Sequence, residues 1–294
     1  MKYININKDL IKFTSYYIDL KTPHWSLRTF HYNSNRGELV STDGHKMTII
    51  DANNRIASDY IALYNTIRPQ VPACDNDLLF NLEFYLKYSK ICKIAYEIQE
   101  TKNSYNLLAY KDNEIIASEP DLQSNYVDYT YAIKDFAPNM QATLNIETIE
   151  KNIKKVMNAI KEHNKLCKLK KDKTSIIDAK KVILDLAFIN NTLNISLVTY
   201  TSTTSNINLL DSELKALNIF TCDYKSTSDV TSKHLYINAS YLLDILQSYK
   251  SLYESNITLH VNFNSRLPEP IMFLPTENIN KGIKSYLMPV KVQQ

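Results

Sequence analysis

Asp43 and His45 stand two residues apart near the start of the chain, with Ser41 two positions earlier, in the run Leu39-Val40-Ser41-Thr42-Asp43-Gly44-His45-Lys46-Met47. Alternate side chains on a strand share a face, so these three residues have the composition of a nucleophile with an acid–base pair. No third group that would orient the base and no oxyanion donors are evident, so no catalytic residue is assigned. Asp43-Gly44 equally suits a tight turn between two strands. Metal ligation by His45 needs a second His or Cys at ligand spacing, and His24, His31, His163, His234 and His260 are scattered. Cys74, Cys92, Cys167 and Cys222 form no Cys-x-x-Cys, which argues against zinc and a redox pair and for a reduced compartment. Gly37, Gly44 and Gly282 are the only glycines, too few and too dispersed for a loop that cradles phosphates. No cofactor is expected.

Lysine supplies the other chemistry. Ile149, Ile153, Val156 and Ile160 recur at helical spacing, while Lys151, Lys154, Lys155, Lys161 and Lys165 fall mainly on other faces. A helix over 82–91 divides Leu82, Tyr85 and Ile91 from Lys87, Lys90 and the nearby Lys93. Lys8 and Lys12 lie one turn apart in a first helix, and Lys250 ends a fourth. Each lysine face taken alone is a solvated surface. Four of them on one concave face would track phosphates without reading sequence. The net charge of +3 is too mild to argue nucleic-acid binding by itself.

The elements that position these residues repeat. A strand over 1–6 leads to a helix over 8–17, then strands over 26–33 and 38–51. The helix over 82–91 precedes strands over 93–99, 105–110 and 114–118. A polar link at 134–141, containing Pro138, separates a second half. That half has a strand at 142–144, a helix over 147–167 and strands over 181–188 and 193–199. A polar loop at 201–208 precedes a helix capped by Asn238 and running to Lys250. Strands over 257–262, 271–274 and 285–292 follow. Strand, helix, three strands thus recurs about four times, and the class is α+β with antiparallel sheets. The 294 residues suggest about two domains. No apolar run is long enough for a membrane span, and the first residues do not read as a signal peptide.

Four segments in order carry a family resemblance: Thr42-Asp43-Gly44-His45-Lys46, Tyr126-Val127-Asp128-Tyr129, Ile237-Asn238-Ala239-Ser240-Tyr241-Leu242-Leu243-Asp244-Ile245-Leu246, and Ser285-Tyr286-Leu287-Met288-Pro289-Val290. They resemble signatures of the bacterial-type DNA polymerase III beta sliding clamp, a processivity factor and not an enzyme. The resemblance implies the DNA-clamp fold, with antiparallel sheets outside and two helices per domain on the inner face. Residues 1–140 would match the family's middle domain and 141–294 its C-terminal domain. The family's first domain has no counterpart, so six domains in a ring would require a homotrimer.

Further implications concern partners. The helix lysines Lys8, Lys12, Lys87, Lys90, Lys93, Lys151, Lys154, Lys155, Lys161 and Lys250 would face duplex DNA. In the family the first and last signatures together form a docking pocket for polymerases. Thr42, Gly44, His45, Lys46 and Met47 would match one wall, and Tyr286, Met288, Pro289 and Val290 the other. Trp25, seventeen positions before Thr42, falls where the family has a leucine, and a core place for it stays open. Lys46 stands where arginine is usual and cannot form a planar fork. The implied partners are duplex DNA, a DNA polymerase and a clamp loader, in the cytoplasm and away from membranes. A non-ring adaptor or decoy of the same fold is the alternative.

Overall fold

The computed structural model describes residues 2–3, 8–33, 36–51, 78–88, 90–99, 104–112, 114–120, 126–134, 136–173, 176–198, 218–227, 232–263, 269–277 and 282–291. Strand, helix, three strands occurs four times in succession. The first repeat is β1 (Lys2–Tyr3), α1 (Lys8–Ser15), β2 (Thr29–Asn33), β3 (Glu38–Thr42) and β4 (Lys46–Asp51). The second is β5 (Leu78–Asn81), α2 (Leu82–Tyr88), β6 (Lys93–Gln99), β7 (Ser104–Lys111) and β8 (Glu114–Pro120). The third is β9 (Met140–Asn145), α3 (Ile146–Leu169), β10 (Ile183–Ile189), β11 (Thr192–Leu197) and β12 (Asn218–Ser226). The fourth is β13 (Ser232–Asn238), α4 (Ala239–Lys250), β14 (Asn256–Val261), β15 (Ile271–Pro275) and β16 (Ile283–Leu287). The class is α+β, with antiparallel sheets.

Adjacent repeats exchange their opening strands. β1 joins the second repeat in the order β1-β6-β7-β8, and β5 joins the first beside β2. The third and fourth repeats do the same: β13 pairs with β10, and β9 with β14. The exchange makes each pair of repeats one folding unit, because neither repeat completes its sheet alone. The chain accordingly divides into two compact units. One is Met1–Tyr129 with Glu277–Ser285, the other Thr130–Thr276 with Tyr286–Gln294.

In the first unit β2, β3 and β4 are central. Phe30, Val40 and Ile50 are fully buried, and residues 282–285 lie beside β4. There the Asp51 N–H donates to the Gly282 carbonyl (2.8 Å) and Thr48 Oγ1 to the Lys284 carbonyl (3.0 Å). The Tyr17 and Ser285 hydroxyls meet at 2.6 Å. The Tyr126-Val127-Asp128-Tyr129 segment seals the same unit. The Tyr126 ring stacks on buried His31 at 4.6 Å, and the Tyr129 hydroxyl donates to Glu38 Oε2 at 2.7 Å. Burial raises the pKa of both phenols; the Glu38 contact adds to the effect at Tyr129, and a backbone hydrogen bond from Thr42 opposes it at Tyr126.

In the second unit the apolar stripe of α3 (Ile149, Ile153, Val156, Ile160) is buried, as is that of α4 (Leu242, Ile245, Leu246, Tyr249). Each such side chain is worth roughly 1.5–3 kcal/mol of burial, far above the propensity differences along a helix, so packing decides where these helices lie. Asn152 Nδ2 ties α3 to the Ile219 carbonyl of β12 (2.9 Å), and the Tyr249 hydroxyl ties α4 to the Phe273 carbonyl of β15 (2.9 Å).

Some expected boundaries change. The strand predicted over 38–51 is two strands joined at Asp43–His45, and the one over 26–33 opens as a 3-10 turn, Trp25–Arg28. The last strand ends at Leu287 and not 292, since Pro289 has no N–H to continue a ladder. α2 stops at Tyr88, so Ile91 and Lys90 lie past it and Lys93 opens β6. β5, β12 and β13 are additions to the sequence expectation. The loop expected at 201–208, and Cys74, lie outside the described residues.

Candidate functional site

The β3–β4 hairpin turn is built by its own side chains. Asp43 Oδ1 accepts from the His45 and Lys46 backbone N–H groups (both 2.9 Å), and Oδ2 receives the Lys46 ammonium. Thr42 Oγ1 donates to the Lys46 carbonyl (2.9 Å) and accepts from the Gly44 N–H (3.0 Å). Gly44 has φ +88°, which only glycine adopts without strain, so the tight-turn reading of Asp43-Gly44 describes the backbone. Thr42, Lys46 and Met47 are buried, while Gly44 and His45 are exposed at the tip. Ser41 is fully buried and the Asp43 carboxylate is engaged by the turn, an arrangement that serves folding and not nucleophilic attack.

The C-terminal segment is fixed separately. Tyr286 is buried with its ring edge-on to Phe136, centroids 6.3 Å apart. The Val290 N–H donates to the Tyr236 carbonyl at 2.7 Å, which pins the chain after β16 to β13. Between these anchors Met288 is 39% exposed, and Pro289 and Val290 are half-buried. An exposed thioether on a pinned backbone is a suitable contact for an apolar partner side chain.

The lysines divide into paired and unpaired. Glu150, one turn before Lys154 on α3, is 5% exposed. Its Oε1 receives the Lys154 ammonium (2.5 Å) and its Oε2 the Lys250 ammonium at the end of α4 (2.6 Å). Burial works to raise the Glu150 pKa, but the hydrogen bonds and charges of the two lysines outweigh it and hold the carboxyl below its ordinary value. The Glu150 hydrogen bond and charge raise Lys250 in turn. Lys151 and Lys155 line the same shallow groove and are exposed. Sequence reasoning missed Glu150, although its spacing to Lys154 was a signal. Lys161 lies further along the outer face of α3. Lys12, Lys87 and Lys90 are exposed in the first unit, Lys87 with its ammonium 5.0 Å from the Tyr88 ring centre. The side chains of Lys8, Trp25 and Lys93 lie outside the described residues.

Among the described residues there is no cluster of three or more possible metal ligands, and no helix is long and apolar enough to cross a membrane. No protein-family model and no curated protein matches the sequence. Solved structures do match. The DNA polymerase III subunit beta of Pseudomonas aeruginosa is similar over 96% of this chain and 63% of its own, with a TM-score of 0.61 at 14% identity. The corresponding figures for the DNA polymerase sliding clamp of Caulobacter crescentus are 97%, 64%, 0.58 and 13%. For the DNA polymerase III subunit beta of Borrelia burgdorferi they are 97%, 61%, 0.62 and 14%.

This chain has the DNA-clamp fold.

The clamp fold thus accounts for nearly the whole chain, which spans less than two thirds of the length of these structures. At such low identity the likeness is one of architecture. The clamp-fold reading of the strand exchange is independent of any residue in the turn or the C-terminal segment.

Proposed function

We propose that this chain is a DNA sliding clamp: copies of it close into a ring that encircles duplex DNA and tethers a replicative polymerase for processive synthesis. The observation that carries the reading is the fourfold strand–helix–three-strand repeat of the clamp fold over nearly the whole chain. Exposed lysines opposite the buried stripe of α3 support it. Distributed lysine–phosphate contacts suit a ring that must slide, because they hold the backbone without reading bases. Tethering raises the local concentration of the polymerase on its template.

Lys8, Lys12, Lys87, Lys90, Lys93, Lys151, Lys154, Lys155, Lys161 and Lys250 are proposed to face DNA. Trp25, Thr42, Gly44, His45, Lys46, Met47, Tyr286, Met288, Pro289 and Val290 are proposed to receive partner peptides. The reading makes the protein a non-enzymatic intracellular factor, opened on DNA by a clamp loader. Two clamp domains per chain make a homotrimer the closed six-domain form.

The test is the absolute solution mass by light scattering at several concentrations. A closed trimer of the 34.0 kDa chain has a mass of about 102 kDa. A second reading takes the clamp fold without the ring, since the structural likeness is one of fold. In it, a monomeric clamp-fold adaptor binds polymerase or loader peptides, and a stable 34.0 kDa species that retains such peptides selects it.

A further inference from the structure

α3 has 24 residues, against 8, 7 and 12 for the equivalent helices of the other repeats. A groove runs along its second half from Met157 to Leu169, about 18 Å at the helical rise. Ala179, in the turn Ala179–Lys181 before β10, lines it as well. Asn164 ties the returning chain to the helix at two points. Its Nδ2 donates to the Ile177 carbonyl (2.7 Å), and its Oδ1 accepts from the Ile177 N–H (2.8 Å). These bonds hold the helix and the returning chain at a set spacing. The groove has a volume of about 960 Å³, room for several side chains and not only for one ion.

Its chemistry is mixed. Met157 and Ile160 are apolar, and Leu169 closes one end while 74% exposed. Leu166, one turn before Leu169, is 56% exposed and extends the apolar surface past the groove. Lys161, Lys165 and Lys168 line the groove against one carboxylate, Glu162. All three lysines are exposed. Unlike Lys154 and Lys250, neither Lys165 nor Lys168 forms an ion pair among the described residues. Residues 161–173 hold six lysines against Glu162 and Asp172, a local net charge of +4 where the whole chain has +3.

We propose that this groove docks an acidic amphipathic helix of a partner protein. Apolar side chains of the partner sit against Met157, Leu166 and Leu169, and its carboxylates meet Lys161, Lys165 and Lys168. Charge complementarity selects an anionic partner, and the leucines select a peptide over a nucleic acid. A phosphate backbone engages the ammonium groups and gains nothing from two exposed leucines beside a concave apolar floor. An anionic helix with one apolar face uses both, through anchors at i, i+3, i+4 and i+7. Three turns of such a helix match the length of the groove. The site shares no residue with the peptide pocket proposed at the Thr42–Met47 turn and the C-terminal segment. Of the lysines proposed to face DNA it includes Lys161 alone. It does not depend on closure of a ring.

The test is fluorescence anisotropy of the full chain with a labelled synthetic helix of about sixteen residues, leucine at the i, i+3, i+4 and i+7 positions and glutamate at most others. An isomer of the same composition with its leucines spread around the helix is the control. The amphipathic peptide should bind at least about tenfold more tightly than the isomer. L166S/L169S, at exposed positions, should weaken it about tenfold, and K165Q/K168Q about fivefold. Leu169→Lys separates apolar docking from bulk attraction: it adds a positive charge, yet it should weaken the peptide. No binding, equal binding of the two peptides, or tighter binding by Leu169→Lys overturns the proposal. So does a short mixed-sequence duplex that displaces the peptide at lower concentration and loses its own binding in K165Q/K168Q, since the face would then serve nucleic acid.

Discussion

Glu150 joins two helices that are far apart in sequence, and its ionisation is part of how they stay together. The carboxylate is buried, which alone would favour the protonated form, yet Lys154 and Lys250 each donate to one of its oxygens and the balance favours the charge. Because the folded-state pKa lies below the ordinary value of 4.5, the stabilisation is fully present above that pH and is lost as pH falls through the lower folded value. In Glu150→Gln this dependence should vanish. Urea denaturation at a series of pH values should show the wild type losing stability relative to the variant on acidification. Parallel curves would mean that the bridge adds nothing to folding. The two lysines are about half exposed, so solvent screening keeps the effect modest.

At the scale of elements, the helix starts are set by asparagines. Asn145 Oδ1 accepts from the Thr148 N–H at the head of α3 (2.9 Å). Asn238 Oδ1 accepts from the Ser240 N–H (2.9 Å) and the Tyr241 N–H (3.4 Å) at the head of α4. Asn238 is buried and its amide also donates to the Lys180 carbonyl, so its loss removes a cap and a tie to the turn before β10. Asn238→Ala should therefore cost about 2 kcal/mol, and Asn145→Ala, which loses its cap and a longer, part-buried bond from its amide to Asn256 Oδ1 (3.2 Å), about 1 kcal/mol, measured as shifts in denaturation midpoint. The reverse order would show that the Lys180 contact is energetically idle.

At the scale of the whole molecule, the proposed clamp function asks for assembly and partner docking as separable properties. The C-terminal segment offers a way to separate them. The Val290 N–H pins it to Tyr236, and Met288 is exposed just before. Deleting residues 288–294 should abolish capture of clamp-binding peptides while light scattering still reports the wild-type mass. A drop in mass would assign the segment to assembly instead.

What could be read from the chain alone follows from the range of each interaction. The stripe Ile149, Ile153, Val156 and Ile160, the Asn238 cap and the exposed lysines of α3 are all recorded within a few residues of one another, so periodicity and capping chemistry revealed them. The order of strand, helix and three strands followed in outline from the same local signals, without β5, β12 and β13. Four quoted segments brought the fold within reach by resemblance, and the structural neighbours share that fold. β5 was not legible, because four mostly apolar residues show no period that separates strand from helix. The strand exchange, with β1 beside β6 and β5 beside β2, was decided only in three dimensions. So was the Glu150–Lys250 bridge across a hundred residues. Such pairings depend on which edges and faces meet after the elements form, and no local pattern encodes that choice.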